Sequence, residues 1–412
     1  MPNYLRLAIL PLILASPTMP GSAQSGAAPR LDYQMPGAAQ PAPQLGYQVP
    51  PPPVETAPRW SRAAAEDLLL YLDRVGEEGL DPAWYDGDRL RAALASGDET
   101  AWQGAASDIF LRLSADLSQG YVRGSDRVGW HMPGFELNGD QQRQLMARAI
   151  AEGRVAPALS SLLPTHAQYQ FLKRALAATA PQDSARRELI RVNMERWRWM
   201  PRELGARHII VNVPAFTAAI VDNGQVTARH RTIVGKTSTP TPQLRADAVA
   251  VTFNPWWNVP ASIVREMNGR YGGYEVTRGA DGIRLRQAPG PRNALGRMKV
   301  EMPNDYAIYL HDTPAKALFD RPVRAFSHGC IRTQDALGFA QQLLAPTDAW
   351  DRARIDKAAA DGKTVRANLS APVPVFIAYF TAAATEDGRI VTYSDLYGRD
   401  APVRKALTAA RS

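Results

Sequence analysis

Cysteine is nearly absent from this chain: one in 412 residues, alongside only six histidines. A lone thiol has no intramolecular disulfide partner, so the fold rests on packed cores and not on covalent staples. No stretch beyond the N-terminus approaches 18 apolar residues, which excludes a transmembrane helix in the mature chain. Nothing resembles a nucleic-acid-binding module, although the formal charge is +8. That basic balance suits an anionic wall polymer or membrane surface, and it equally suits an arginine-rich composition with no dedicated partner.

Residues 1–23 read as a secretory signal. Arg6 marks the n-region, an apolar core runs from Leu7 to Ala15, and Gly21-Ser-Ala23 suits signal peptidase. Residues 24–58, rich in Pro, Ala, Gln and Gly, bury too little apolar surface to order themselves and read as an extended tether.

From Trp60 the pattern turns helical. Apolar residues at three-to-four spacing predict helices over 61–72, 100–119, 140–152 and 167–178, with Trp102, Ile109, Phe110, Leu113 and Leu117 on one core face. His131 and His166 stand apart and read as structural. The segment Ser184–Trp199, stopped by Pro201, reads as a connector helix (184–204) whose Trp197 and Trp199 pack onto the next domain. Residues 59–183 thus form an all-helical domain, and residues 205–412 a β-rich one. Strands are expected at 207–213, 216–221, 225–234, 248–253, 306–310, 373–383 and 389–393, with Asp222-Asn-Gly224 as a hairpin turn. One helix, 333–344, interrupts them. The Gly-, Pro- and Arg-rich excursion over about 255–296 is expected to form a lid. The fold class is α+β.

The chemistry concentrates near the single thiol. Cys330 lies in Ser327-His-Gly-Cys-Ile-Arg332, and His311 lies nineteen residues upstream. An inert core thiol is the plain alternative. His-Gly-Cys argues against it, because glycine beside a nucleophile lets backbone N–H groups approach an oxyanion. Thr333 as N-cap of the following helix would set Cys330 before a positive helix end and lower its pKa. A zinc site built from His311, His328 and Cys330 is a third reading, but no acidic general base accompanies that trio in a metallopeptidase pattern.

Tyr309-Leu-His-Asp-Thr-Pro314 and Ser327-His-Gly-Cys-Ile-Arg332, with the fifteen residues from Asp312 to Phe326 between His311 and Ser327, resemble the signature of L,D-transpeptidases with a YkuD-type catalytic domain. Asn193–Trp199, Ile210–Phe216, Val234–Thr237, Phe253–Pro260, Pro289–Gly296 and Tyr397–Asp400 extend the resemblance to the large periplasmic branch with an N-terminal scaffold domain. The resemblance implies that Cys330 is the nucleophile and His311 its base. It implies an oxyanion hole near His328, Gly329 and Cys330, a site lined by Ser327 and His328, and a substrate contact at Arg332, whose fork suits a carboxylate. Asp312, or a backbone carbonyl near it, would orient His311. Tyr309, Trp256, Trp257 and Asn258 are candidate cleft residues. No cofactor or metal is implied. The implied partners are peptidoglycan stem peptides as donor and acceptor, with outer-membrane proteins as a further class of acceptor, and the implied address is the periplasm. Two departures stand out: there is no room for a separate peptidoglycan-binding module before Arg186, and the excursion before Arg284 is short.

Overall fold

A computed structural model of the chain describes residues 58–409 apart from 281 and 348. The expected signal segment, and the expected tether except for Pro58, lie outside the described residues.

Seven helices come first: α1 (Arg62–Asp73), α2 (Gly87–Ser96), α3 (Glu99–Gln119), α4 (Gly139–Ala151), α5 (Val155–Ser160), α6 (Ala167–Ala178) and α7 (Ser184–Trp199). Their starts follow side-chain capping. Ser61 accepts from the Ala64 N–H, Asp98 from Ala101, and Asn138 with Gln141 closes a capping box on α4. The expected face of α3 is buried, and Leu68, Leu90, Phe110, Leu113 and Leu117 share one core.

Helix α7 is buried along its second half, from Ile190 to Trp199 except for the partly exposed Arg191, because it serves two cores at once. Trp197 stacks on Phe380 at 4.5 Å and joins the core beneath the sheet. Trp199 turns the other way. It packs in the helical core against Trp130 at 5.4 Å, so the expectation that both indoles face the next domain is half right. The Arg198 charge between them is satisfied. Arg198 pairs with Glu195 at 2.7 Å and donates to the Glu78 carbonyl, while Glu195 accepts from Trp199 and from the Val122 N–H.

The β-rich part begins with β1 (Trp130–His131), supplied from between α3 and α4, and continues with β2 (Arg207–Asn212), β3 (Thr217–Asp222), β4 (Gln225–Gly235) and β5 (Gln243–Phe253). The β2–β3–β4 meander turns at Asn223 and Gly224, both left-handed at φ 48° and 78°, as a tight hairpin requires. The excursion follows as β6 (Trp257–Asn258), α8 (Ala261–Glu266), β7 (Glu275–Gly279) and β8 (Gly282–Gln287), a three-stranded sheet around Val259, Val264 and Leu285.

Then come β9 (Met298–Glu301), β10 (Leu310–His311), β11 (Ala325–Ser327), β12 (Ile331–Thr333), α9 (Ala336–Leu344), α10 (Arg352–Ala360), β13 (Val365–Ala378), β14 (Ala382–Ala384), β15 (Ile390–Thr392) and α11 (Asp400–Ala406). The strand order β5-β13-β2-β3-β4-β12-β10-β9 returns to β5, because β9 pairs with both β10 and β5. The ring therefore closes, which removes exposed edges from the strands that carry the site. Val375 and Ile377 of β13 enter the core lined by Phe339 and Leu343 of α9, while Phe376 and Ala378 face the α6–α7 side.

Three expectations fail here. Residues 306–310 do not form a strand: Ala307 is left-handed at φ 52° and only Leu310–His311 pairs. Thr333 belongs to β12, and Asp335, not Thr333, caps α9. The domain also holds α8, α10 and α11 in addition to the one expected helix.

Removing the Glu195 carboxylate leaves Arg198 buried and unpaired, so Glu195→Ala should cost about 3–5 kcal/mol. Urea denaturation followed by circular dichroism will show it as a lowered midpoint; an unchanged midpoint would mean that the pair carries no structural weight.

Candidate active site

Strand alternation builds the site. Met298, Val300, Leu310 and Ile331 point into the core, so their neighbours Lys299, His311 and Arg332 share the opposite face. The register sets His311 directly across from Lys299 on one side and from Arg332 on the other. One step back along the same parallel pair, Tyr309 faces Cys330, and its carbonyl accepts the Ile331 N–H at 3.0 Å.

Cys330 follows a tightly braced loop. Ser327 is buried; its hydroxyl donates to the Cys330 carbonyl at 2.6 Å and accepts the Gly329 N–H at 3.1 Å. Ser327 therefore staples the loop instead of lining the cleft, and the Gly329 N–H is already committed. That leaves the His328 and Cys330 N–H groups as the remaining oxyanion candidates of the three expected. Gly329 has φ 111°, and a Cβ there would sit 3.1 Å from Ile308, so only glycine fits. Its carbonyl accepts from Thr241 Oγ1 at 2.8 Å, and the Tyr397 hydroxyl donates to the Gly235 carbonyl beside Thr241.

His311 is buried and its Nδ1 lies 2.5 Å from the Asp312 carbonyl. A carbonyl can only accept, so Nδ1 carries the proton and Nε2 keeps its lone pair. The Asp312 carboxylate does not orient the ring; it accepts the Arg297 N–H at 2.9 Å and pairs with Lys316. Burial, reinforced by the Arg332 charge, pulls His311 down to about 3.

Burial also pushes the Cys330 thiol up, against the opposing pull of Tyr309, Lys299 and Arg332. The expected lowering by a helix end is absent in that form, since β12 separates Cys330 from α9 and Asp335 caps that helix. The thiol instead points toward the Ala307 carbonyl at 3.6 Å. Thiol and imidazole are thus both neutral at rest.

The excursion reaches the site at two points. Trp257 meets the Tyr309 hydroxyl, and Glu266 at the end of α8 lies 2.9 Å from His328 Nε2, where Lys236 Nζ also approaches at 3.4 Å. Trp256 is exposed beneath Arg286, and Asn258 is exposed on β6, so neither reaches Cys330 by a described contact. His328 faces the excursion while His311 turns to Asp312, and among the described residues no three His, Cys, Asp or Glu side chains gather as a metal site. His131 is less isolated than its sequence suggests. Its ring lies 4.4 Å from that of Tyr306, the neighbour of Ala307, at a tilt of 32°, and no sequence signal marks that contact. His166 contacts the Pro201 carbonyl at 2.9 Å. The residue that sequence reasoning missed outright is Lys299, whose place appears only with the β9–β10 register.

Comparison with known families agrees with this geometry. Residues 206–375 match the YkuD L,D-transpeptidase catalytic domain, and residues 55–176 match the Scaffold domain. The chain carries an L,D-transpeptidase catalytic domain of the YkuD type, preceded by a Scaffold domain. A Haemophilus influenzae protein named "Putative L,D-transpeptidase" is 29% identical over 384 residues, covering 85% of this chain and 77% of its own. Among solved structures, an L,D-transpeptidase from Mycobacterium smegmatis aligns over 42% of this chain and 58% of its own, with 16% identity and a TM-score of 0.24. L,D-transpeptidase 1 from Mycobacterium tuberculosis aligns over 42% and 61%, with 15% identity and a TM-score of 0.21. The chain thus spans under two thirds of these mycobacterial structures. No helix among the described residues is long and apolar enough to cross a membrane.

The neutral pair in this transpeptidase domain has a pH signature. Iodoacetamide should alkylate Cys330 of the free protein at a rate that climbs with pH through 9.0, the ordinary thiol value, because the raised thiol loses its proton only above it. Alkylation followed by intact mass is the check. A reactive plateau between about pH 5 and 7 would instead reveal a preformed thiolate–imidazolium pair.

Proposed function

We propose that the protein is a peptidoglycan L,D-transpeptidase of the periplasm, with Cys330 as nucleophile and His311 as general base and acid. The observation that supports this reading is the β10–β12 pairing, which sets His311 across from Arg332 with Cys330 immediately before β12, within the stretch that matches the YkuD-type domain. Nε2 of His311, bearing a lone pair, takes the thiol proton as sulfur attacks the carbonyl of the third stem residue, a diaminopimelate. The C–N bond to D-alanine breaks, and His311 returns the proton to the departing amine. The resulting thioester is resolved by a second stem's amine, which gives its proton to His311. The C–S bond breaks, the thiol is restored, and a 3→3 cross-link results.

Covalent catalysis divides one transacylation into two smaller barriers. The N–H groups of Cys330 and His328 are the donors for the developing oxyanion. Trp257 and Tyr309 close one wall of the cleft, which favours an amine acceptor over water.

Incubation with purified disaccharide-tetrapeptide, followed by mass spectrometry, tests the reading. The expected products are free D-alanine and a cross-linked dimer. Release without dimer would redirect the acyl group to water, a D-amino acid or a protein amine, and no release at all would sink the proposal. Cys330→Ser should abolish turnover, and His311→Ala should lower it about a hundredfold to ten-thousandfold. Near-normal activity in the His311 variant would refute its role as base. A carbapenem should add its mass to the intact protein, and the Cys330→Ser variant should show no such increase.

A further inference from the structure

The face that carries His311 also carries two cations that the reaction sequence does not use. Lys299 and Arg332 are its cross-strand neighbours on β9 and β12. Paired strands lie about 4.8 Å apart, so their backbones stand about 10 Å from each other, and two long side chains bridge that span above the imidazole. Lys299 Nζ lies 4.1 Å over the Tyr309 ring, whose hydroxyl side meets the Cys330 thiol.

Among the described residues no ion pair joins either cation to a carboxylate. The acid nearest to Lys299 in sequence, Glu301, is held by Arg366 at 2.8 Å and by Thr252. Arg332 is partly buried and its Nε has no hydrogen-bond partner. Guanidinium donors left unsatisfied inside a cleft are costly unless a ligand completes them. A lysine and an arginine that form no ion pair among the described residues, set on either side of His311, describe a seat for an anion whose planar oxygens match the arginine fork.

We propose that Lys299 is a specificity-determining residue which, together with Arg332, binds a free carboxylate of the donor stem peptide. The proposal rests on the transpeptidase reading for the identity of that peptide. Lys299 enters from β9 and Arg332 from β12, so the carboxylate is gripped from both sides and the scissile carbonyl is held over Cys330. Two carboxylates of the tetrapeptide offer this chemistry: the C-terminal carboxylate of the leaving residue and the side-chain carboxylate of the diamino acid. A protein that uses the seat discriminates against a stem amidated at the carboxylate concerned.

Calorimetric binding to the Cys330→Ser protein tests this apart from turnover. Three peptides are compared: the free acid, its C-terminal amide and its side-chain amide. One amide should bind about tenfold to a hundredfold more weakly than the free acid, the range of a lost charge-assisted hydrogen bond, and that amide identifies the carboxylate. Adding Lys299→Gln should weaken the free acid by a similar factor and leave that amide's affinity unchanged, while Lys299→Arg restores the preference. The inference is overturned if Lys299→Gln weakens all three peptides equally, if it changes none, or if no peptide binds. Wild-type release of D-alanine from the same free acid is scored separately. Carboxylate binding through Lys299 without release would sink the transpeptidase reading and keep this one.

Discussion

The candidate site depends on the parallel pairing of β10 with β12, two strands of two and three residues. Segments so short have little stability of their own, since the entropy of fixing each residue rivals what a few ladder hydrogen bonds return. They persist because they are inserted into a ring. β9 closes onto β5, β12 leans on β4, and Leu310 and Ile331 sink into the same core as Val300 and Phe339. The apolar residues hold the strands in place, and alternation then sets Lys299, His311 and Arg332 on the opposite face. The candidate face is the reverse side of a packing problem.

Helix α7 ties the helical domain to the loop that carries Cys330. Its Arg196 pairs with Asp400 at 2.6 Å, and Asp400 and Arg399 both donate backbone N–H groups to Asp395. Asp395 also accepts the Tyr379 hydroxyl, and Tyr379 in turn accepts the Tyr397 N–H. Arg399 and Tyr397 then reach Thr241 and Gly235, and Thr241 holds the Gly329 carbonyl. A continuous set of buried and partly buried polar contacts thus runs from the connector helix to the residue beside Cys330. On the opposite flank, β1 and His131 come from the helical domain to the sheet edge and to Tyr306. The loop bearing the thiol and the loop bearing Ala307 are each braced from outside the catalytic domain.

Local signals in the sequence translated well. The helices of residues 167–178 and 184–199 match their expected bounds, and Asp222-Asn-Gly224 turns as its φ requirements predict. What stayed hidden was non-local. Nothing in residues 298–301 shows that β9 will pair on both sides, so neither ring closure nor the position of Lys299 was legible. Thr333 looked like an N-cap because a hydroxyl preceded an apolar stripe. Pairing with β4 claimed it for a strand, and the cap passed to Asp335 in a left-handed conformation. Trp197 and Trp199 lie two residues apart on a helix, about 200° around the axis, so they diverge toward different cores.

The electrostatics reconcile a buried thiol with nucleophilic chemistry. Desolvation penalises both the thiolate and the imidazolium, and the two cations worsen the second while easing the first. Before substrate arrives, desolvation governs and the pair is neutral, which protects a lone thiol from oxidation and stray acylation. A carboxylate seated between Lys299 and Arg332 would change that balance. It neutralises cations that disfavour a protonated His311 and that also favour the thiolate, so it eases one half of the proton transfer and opposes the other. Under the carboxylate proposal Lys299 and Arg332 serve recognition, while desolvation of the buried thiol and imidazole sets the cost of moving the proton between them.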